Sequence, residues 1–230
     1  MKPTLRLALT LAALAPGTGF AGELLISRQG SLLLAEDFDT APTLPEKFTS
    51  GVGAWTVMDG ALRGQQQPKD KHTAFRKIFL DHQDVIYQFD LKIEGDAFAQ
   101  LLINYDLVHV SKAVVNLDQF AIYKLNEKSK RVQMAAEKRD QGLDPLHGDY
   151  TEKNVALDLA EHALQPGQWY RVTVELIGDK MAMQLDGLSV QGHHIGLTEK
   201  KTNFGFQAGG FEGYVHFDNI KVWQALPKKS

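Results

Sequence analysis

Apolar and polar residues alternate with a period of two along most of this chain. In the longest such run, Val85, Tyr87, Phe89, Leu91 and Ile93 alternate with Ile86, Gln88, Asp90, Lys92 and Glu94. That period places successive side chains on opposite faces of a strand, so the run predicts a strand with one face in a core. After Gly95-Asp96, which reads as a turn, Ala99, Leu101 and Ile103 predict a returning strand with Phe98, Gln100, Leu102 and Asn104 on its other face. The same beat recurs in Phe120 to Leu125, in Tyr170, Val172, Val174 and Leu176, in Met181, Met183 and Leu185, and in Phe204, Phe206 and Ala208.

The turns between these runs carry their own chemistry. Asp59-Gly60 and Asp186-Gly187 are two-residue loops of the kind that adopt type I′ hairpins. The first would pair Val57 with Leu62 and set Trp55 opposite Gly64, where the missing side chain leaves room for the indole. Gly178-Asp179 reads as another turn, and Gly209-Gly210 with Gly213 brackets one more. The stretch from residue 126 to residue 167 is charged and rich in Gly and Pro, and reads as one hairpin plus a long surface excursion with a helical turn near Leu157 to His162. In the last strand Val215 and Phe217 keep one phase, whereas Ile220 and Val222 keep the other. The slip at Asp218-Asn219 predicts a β-bulge or a twist. Roughly a dozen short strands at close spacing predict an all-β sandwich or barrel.

Composition sets the compartment. Lys2 and Arg6 precede an apolar run from Leu7 to Ala15, and Gly19-Phe20-Ala21 follows as a small-x-small cleavage pattern, so residues 1–21 read as a signal peptide. That run is shorter than the roughly 20 residues a membrane span needs, and no second run follows it. An exported, periplasmic or extracellular protein is expected, with residues 22–230 as one domain. The chain contains no cysteine, so a core and not disulfides must hold it together. Removing Lys2 and Arg6 leaves 23 basic against 28 acidic residues, a net charge of −5 that offers nothing to nucleic acid.

Four segments resemble one known family. Pro166-Gly-Gln-Trp169-Tyr-Arg-Val-Thr-Val-Glu-Leu followed by Asp186-Gly187 is similar to the core of the concanavalin A-like jelly-roll superfamily. Within it, Trp55-x-Val57-x-Asp59-Gly60-x-Leu62, Phe89 to Glu94, Gly205-Phe206-Gln207 and Phe217-Asp218-Asn219-Ile220 resemble the 3-keto-disaccharide hydrolases. The chain departs from that family's usual pattern in three places. Gly95-Asp96 follows the Glu where an aromatic and a basic residue are usual. Ala99-Gln100-Leu101 replaces an Asn-Ser-Gly stretch, and Ala208-Gly209 replaces Asp-His. The resemblance implies a jelly-roll β-sandwich of two antiparallel sheets that binds a carbohydrate on a concave face and cleaves or processes a 3-keto-glycoside. It leaves open a glycan-binding or cell-envelope module that keeps the fold without the chemistry.

The expected site follows from the polar faces of the two central strands. Glu94 and His109 are the candidate acid-base residues, and Gln88, Gln100, Asn104 and Trp223 the candidate substrate contacts. Asp90 and Glu94 share a face, but four strand residues separate them by about 13 Å, too far for a glycosidase carboxylate pair. Both alternatives stay open for each polar residue, because a sheet with one solvated face needs polar side chains in any case. His193, His194 and His216 are further imidazoles without metal spacing. Trp55 and Trp169 each open an apolar strand and read as core, whereas Trp223 reads as a sugar platform or as a cap over the sandwich edge. Asp144, His147, Asp149 and Tyr150 could form a lid or plain surface. Glu36, Asp37 and Asp218 are similar to segments that lie side by side in related jelly rolls, where they sometimes hold a structural Ca²⁺; that ion is the one cofactor expected.

Overall fold

The structure is a computed structural model and describes residues 23–40, 43–105, 108–125 and 154–229. Among them are thirteen strands: β1 (Ser27–Glu36), β2 (Thr49–Val52), β3 (Ala54–Met58), β4 (Ala61–Gln65), β5 (Ala74–His82), β6 (Val85–Tyr105), β7 (Val108–Val115), β8 (Gln119–Lys124), β9 (Val155–Glu161), β10 (Trp169–Ile177), β11 (Lys180–Leu185), β12 (Leu188–His193) and β13 (Lys201–Pro227).

Two strands organise all the others. β6 and β13 pair antiparallel from Asn104 opposite Asn203 to Val85 opposite Gln224. The first half of β6 and the second half of β13 carry β10, β11 and β12 on one side, and β4, β3 and β1 on the other. The remaining halves carry β7, β8 and β9 on one side, and β5 and β2 on the other. Rings from the two ends of these strands meet across the core. Phe89 packs edge-on to Phe206 at 5.2 Å and Tyr87 lies 5.0 Å from Phe204. The hydrogen-bonded sheet is therefore folded over on itself into two layers, the jelly-roll sandwich expected from the sequence, with one apolar core between them.

The fold line corrects two expectations. Gly95-Asp96 is a bend inside β6 and not a turn, and the Gly209 to Gly213 stretch is likewise continuous within β13. Gly95 has φ 66°, and a Cβ there would sit 2.3 Å from the Glu212 carbonyl oxygen, so the two backbones cross the corner too closely for any side chain. The apolar phase of β6 does not change across the bend: Val85 to Ile93 and Ala97 to Ile103 all face the same core. A hairpin and a bend leave the same parity, so the alternation did not separate them. As a consequence Glu94 lies opposite Tyr214 and Gln100 opposite Gln207, and Glu94 and Gln100 are not cross-strand neighbours.

The expected hairpins form in the expected register, with Val57 opposite Leu62, Trp55 opposite Gly64 and Leu185 opposite Leu188. A Cβ on Gly64 would lie 2.6 Å from the Trp55 ring. The helical turn expected near Leu157 to His162 is instead β9, paired with β8 along the edge of the second layer. The hairpin expected earlier in that excursion, and its candidate lid residues Asp144, His147, Asp149 and Tyr150, lie outside the described residues.

The segment before β1 is fastened to the outer face of the first layer. The buried Glu175 carboxylate accepts from the backbone N–H groups of Leu25 (2.7 Å), Ile26 (3.1 Å) and Ser27 (2.9 Å), and from the Ser27 hydroxyl (2.7 Å). Leu24 joins Ile86, Trp223 and Ala225 in a small second core beside these bonds. Removing the acceptor would strand three amide donors and free this strap from the sheet. The Glu175→Ala variant is therefore expected to lose about 3 kcal/mol of unfolding free energy, read as a lower urea midpoint; an unchanged midpoint would refute the fastening role.

Candidate functional site

The outer face of the first layer carries a cross-strand row built by register. Trp169 on β10 lies opposite Lys92 on β6, which lies opposite His216 on β13, which lies opposite Arg63 on β4. Directly opposed side chains on one face of an antiparallel pair are in contact range, so the row forms a continuous surface. The Lys92 ammonium stands 5.2 Å from the centre of the Trp169 ring, and the ring of His216 meets the same indole edge-on at 6.2 Å. Trp169 keeps 41% of its surface exposed and so departs from the core position expected of it. Arg63, at the end of the row, covers the ring of Tyr214 in the next row at 4.6 Å.

Glu94 completes the cluster. Lys92 Nζ donates to Glu94 Oε1 at 2.9 Å, and His216 Nε2 lies 3.4 Å from Glu94 Oε2, near enough to interact but off the axis of a hydrogen bond. The Lys92 hydrogen bond, together with the charges of His216 and Lys92, outweighs burial and holds the Glu94 carboxyl below its ordinary pKa. Burial, followed by the Lys92 charge, lowers the pKa of His216 against the opposing pull of Glu94. At neutral pH the site therefore presents a carboxylate, a neutral imidazole and an ammonium side by side beneath an exposed indole.

The bulge at Asp218-Asn219 forms and lies next to this cluster. The β6–β13 register shifts between Asp218 and Lys221, with Asn219 in the left-handed region at φ 49°. The Asn219 amide donates to Asp90 Oδ2 at 2.9 Å and to Asp218 Oδ2 at 3.1 Å, and its backbone N–H donates to Asp218 Oδ1 at 2.6 Å. Arg171 grips the same Asp90 with two nitrogens, Nε to Oδ1 and Nη2 to Oδ2. Burial raises the Asp218 carboxyl to about 6 against the hydrogen bond from Asn219, and the charges of Asp90, Asp39 and Asp37 add to the rise.

The residues singled out from the sequence fall on two faces. Glu94 stands in the cluster just described. Gln88 is on the same side of the molecule but buried, donating weakly to Thr173 Oγ1 at 3.4 Å. Trp223 is 7% exposed and packed with Leu24 and Ile86 under the strap before β1, so of its two expected roles it is a cap and not a sugar platform. Gln100, Asn104 and His109 lie on the outer face of the second layer, so His109 cannot act with Glu94. Asn104 Nδ2 donates to Asn203 Oδ1 at 2.9 Å, and His109 Nδ1 lies 2.6 Å from Asn104 Oδ1. His194 Nδ1 accepts from the Gly196 N–H at 3.0 Å and serves a short 3₁₀ turn.

The three expected calcium ligands do not form a set as placed. Glu36 does lie opposite Ile220, beside the bulge, but its Oε2 pairs with Lys47 at 2.7 Å and its Oε1 accepts from the Phe38 N–H at 3.0 Å. Asp37 Oδ1 accepts from the Asp39 N–H at 3.3 Å. Among the described residues no three His, Asp or Glu side chains converge as a metal-ligand group.

Lys92, His216, Trp169, Arg63 and Tyr214 were not expected at the site, and parity would have found them. Trp169 is in phase with Arg171 and not with Tyr170 and Val172, and His216 is in phase with Tyr214 and not with Phe217.

With this geometry in place, the chain can be assigned to a class. Residues 38–223 match the profile of the 3-keto-alpha-glucoside-1,2-lyase-like domain, and the chain belongs to that family. No curated protein sequence matches it. Among solved structures it is similar to a protein of unknown function with a galectin-like fold from Bacillus subtilis, with a TM-score of 0.59 at 12% identity over 88% of this chain and 100% of that one. It is also similar to the carbohydrate-binding module CBM66 from Bacillus subtilis, with a TM-score of 0.53 at 14% identity over 76% of this chain and 94% of that one. SCLam, a non-specific endo-β-1,3(4)-glucanase from family GH16, gives a TM-score of 0.54 at 12% identity over 87% of this chain and 93% of that one. At these identities the likeness is one of fold.

Asp218 gives the site a pH signature. Its folded pKa of about 6 exceeds its ordinary 3.8, so the folded state binds more protons than the unfolded state between those values. Its contribution to stability is fully present below about pH 4 and is lost as pH rises through about 6. His82, buried and lowered to about 4, works in the opposite direction over much of the same range. The comparison that isolates Asp218 is therefore wild type against Asp218→Asn. The stability of the variant relative to wild type should rise between pH 4 and pH 7 in thermal melts, and parallel curves would remove Asp218 as the cause.

Proposed function

We propose that the chain is an exported carbohydrate-active domain that processes a 3-keto-glycoside by elimination across C1 and C2 of the oxidised sugar, with Glu94 as the base. The observation that carries this reading is the ionised Glu94 held at 2.9 Å by Lys92 and 3.4 Å from His216, beside the exposed Trp169. A ketone at C3 acidifies the hydrogen on C2. Glu94 takes that proton, and the electron pair left behind is delocalised onto the C3 oxygen as an enolate, which the Lys92 ammonium stabilises. The pair then returns to form the C1–C2 double bond as the C1–O bond breaks. The departing oxygen takes the proton that Glu94 has accepted, which restores the carboxylate, and the product is an enone, which water can add to in a later step. Trp169 supplies an apolar surface for a sugar face. The signal peptide expected over residues 1–21 supports export.

A second reading, a glycan-binding module without turnover, is favoured by one specific observation. The sequence departures from the family pattern meet across the strands that fold the sheet: Ala99 lies opposite Ala208 and Phe98 opposite Gly209. The Phe98 ring fills the space over Gly209, where a Cβ would come within 2.0 Å of it.

Incubation with 3-keto-trehalose, followed by enone absorbance and by NMR of the released sugar, separates the two. Turnover by the wild type, with kcat reduced by about 10²- to 10⁴-fold in Glu94→Gln and KM little changed, is the expected result. Binding without turnover by the wild type would support the module, and full activity in Glu94→Gln would remove Glu94 as the base.

A further inference from the structure

The outer face of the second layer holds a groove that the Glu94 site does not use. It has a volume of about 560 Å³ and is lined by Phe79, Leu80, Asp81, Tyr105, Lys200 and Thr202. Phe79 is 64% exposed and Tyr105 37% exposed, so two aromatic rings stand in solvent on its walls. The two rings flank one groove, and contiguous exposed apolar surface rimmed by polar residues is the kind that ligand sites use. The Lys77 ammonium lies 5.4 Å from the Phe79 ring centre and steadies that ring from the side.

Beside the groove runs a preformed polar row. Phe79, Asn203, Asn104 and His109 are successive cross-strand neighbours on β5, β13, β6 and β7. Asn104 and Asn203 are 3% and 1% exposed, and they are joined at 2.9 Å. Asn203 Nδ2 also donates to Thr202 Oγ1 at 3.2 Å, which ties the row to the groove wall. The amides and imidazole of the row are locked by one another, so the wall is rigid before any ligand arrives. Asp81 and Lys200, the two charged residues among the described lining residues, pair with each other at 2.9 Å.

We infer that this groove binds a neutral oligosaccharide. Aromatic faces suit the C–H faces of sugar rings, and hydroxyl and charged-pair groups suit their hydroxyls. The balanced charge gives no preference for an anionic or cationic ligand, and the volume falls within the roughly 300–1,000 Å³ of small-ligand sites. The groove lies on the opposite layer from Glu94, so it acts as a separate holding site for glycan and takes no part in bond cleavage.

Isothermal titration of the full chain with maltohexaose and with laminarihexaose tests this. At least one should bind, and Phe79→Ala and Tyr105→Ala should each weaken its Kd by about tenfold or more without moving the thermal midpoint, since both rings are exposed. Trp169→Ala should leave this binding unchanged, and so should Glu94→Gln, which separates the outcome from that of the proposed elimination. Failure of both hexasaccharides to bind at millimolar concentration, or equal binding by the Phe79→Ala and Tyr105→Ala variants, would overturn the inference.

Discussion

The antiparallel pairing of β6 with β13 is the constraint on which the rest of the molecule depends. Strands of 21 and 27 residues are far longer than the usual five or six, and they can stay paired only if both bend at the same place. Gly95 supplies the bend on β6, and Gly210 and Gly213 supply it on β13, where added side chains would collide with the facing backbone. Once the pair is folded, its two halves become the centres of two layers, and every other strand adds to an edge already in place. The core is thus made from residues of the same two strands meeting themselves, as Phe89 meets Phe206 and Phe217.

That constraint also explains what could be read from the residues and what could not. Local signals were sufficient for the hairpins, because Asp59-Gly60 and Asp186-Gly187 fix both turn geometry and register within a few residues. The bulge at Asp218-Asn219 was legible for the same reason, since a phase slip is written into the strand itself. Gly95 was not legible as a bend, because a glycine followed by an aspartate serves a reversal and a corner equally well, and only the long-range partner β13 decides between them. This one ambiguity accounts for the grouping of Glu94 with Gln100, Asn104 and His109. Glu94, Gln100 and Asn104 lie on the outward parity of β6 and His109 lies opposite Asn104 on β7, but the corner sends Glu94 to one face and the others to the opposite one.

Trp169 is exposed and Trp223 buried, and the cause is again long-range. Each is on the outward parity of its strand, so parity alone predicts exposure for both. Trp169 meets Lys92 and the edge of the His216 ring and stays open. Trp223 is covered by Leu24, which the Glu175 carboxylate holds in place through bonds to the next three residues. A buried carboxylate is costly unless its lone pairs are filled, and three backbone amides plus a hydroxyl fill them. The strap thus closes one end of the outer face and leaves the Trp169 end as the part that a ligand can reach.

The bulge decides how that open end is furnished. Without a phase reset, Ile220 and Val222 would follow Tyr214, His216 and Asp218 onto the outer face, and the core would lose both side chains. The reset returns them inward and turns the Asn219 amide toward Asp90, which Arg171 already holds. Asp90 is thereby fixed from two sides, one row along from Lys92. Lys92 is left to pair with Glu94, because the nearest competing carboxylate on its own strand is already satisfied. The phase slip at Asp218-Asn219 is therefore a device for both packing and charge. It keeps the core phase intact on either side, and it leaves one lysine, one glutamate and one histidine together on the only stretch of that face where an indole is exposed.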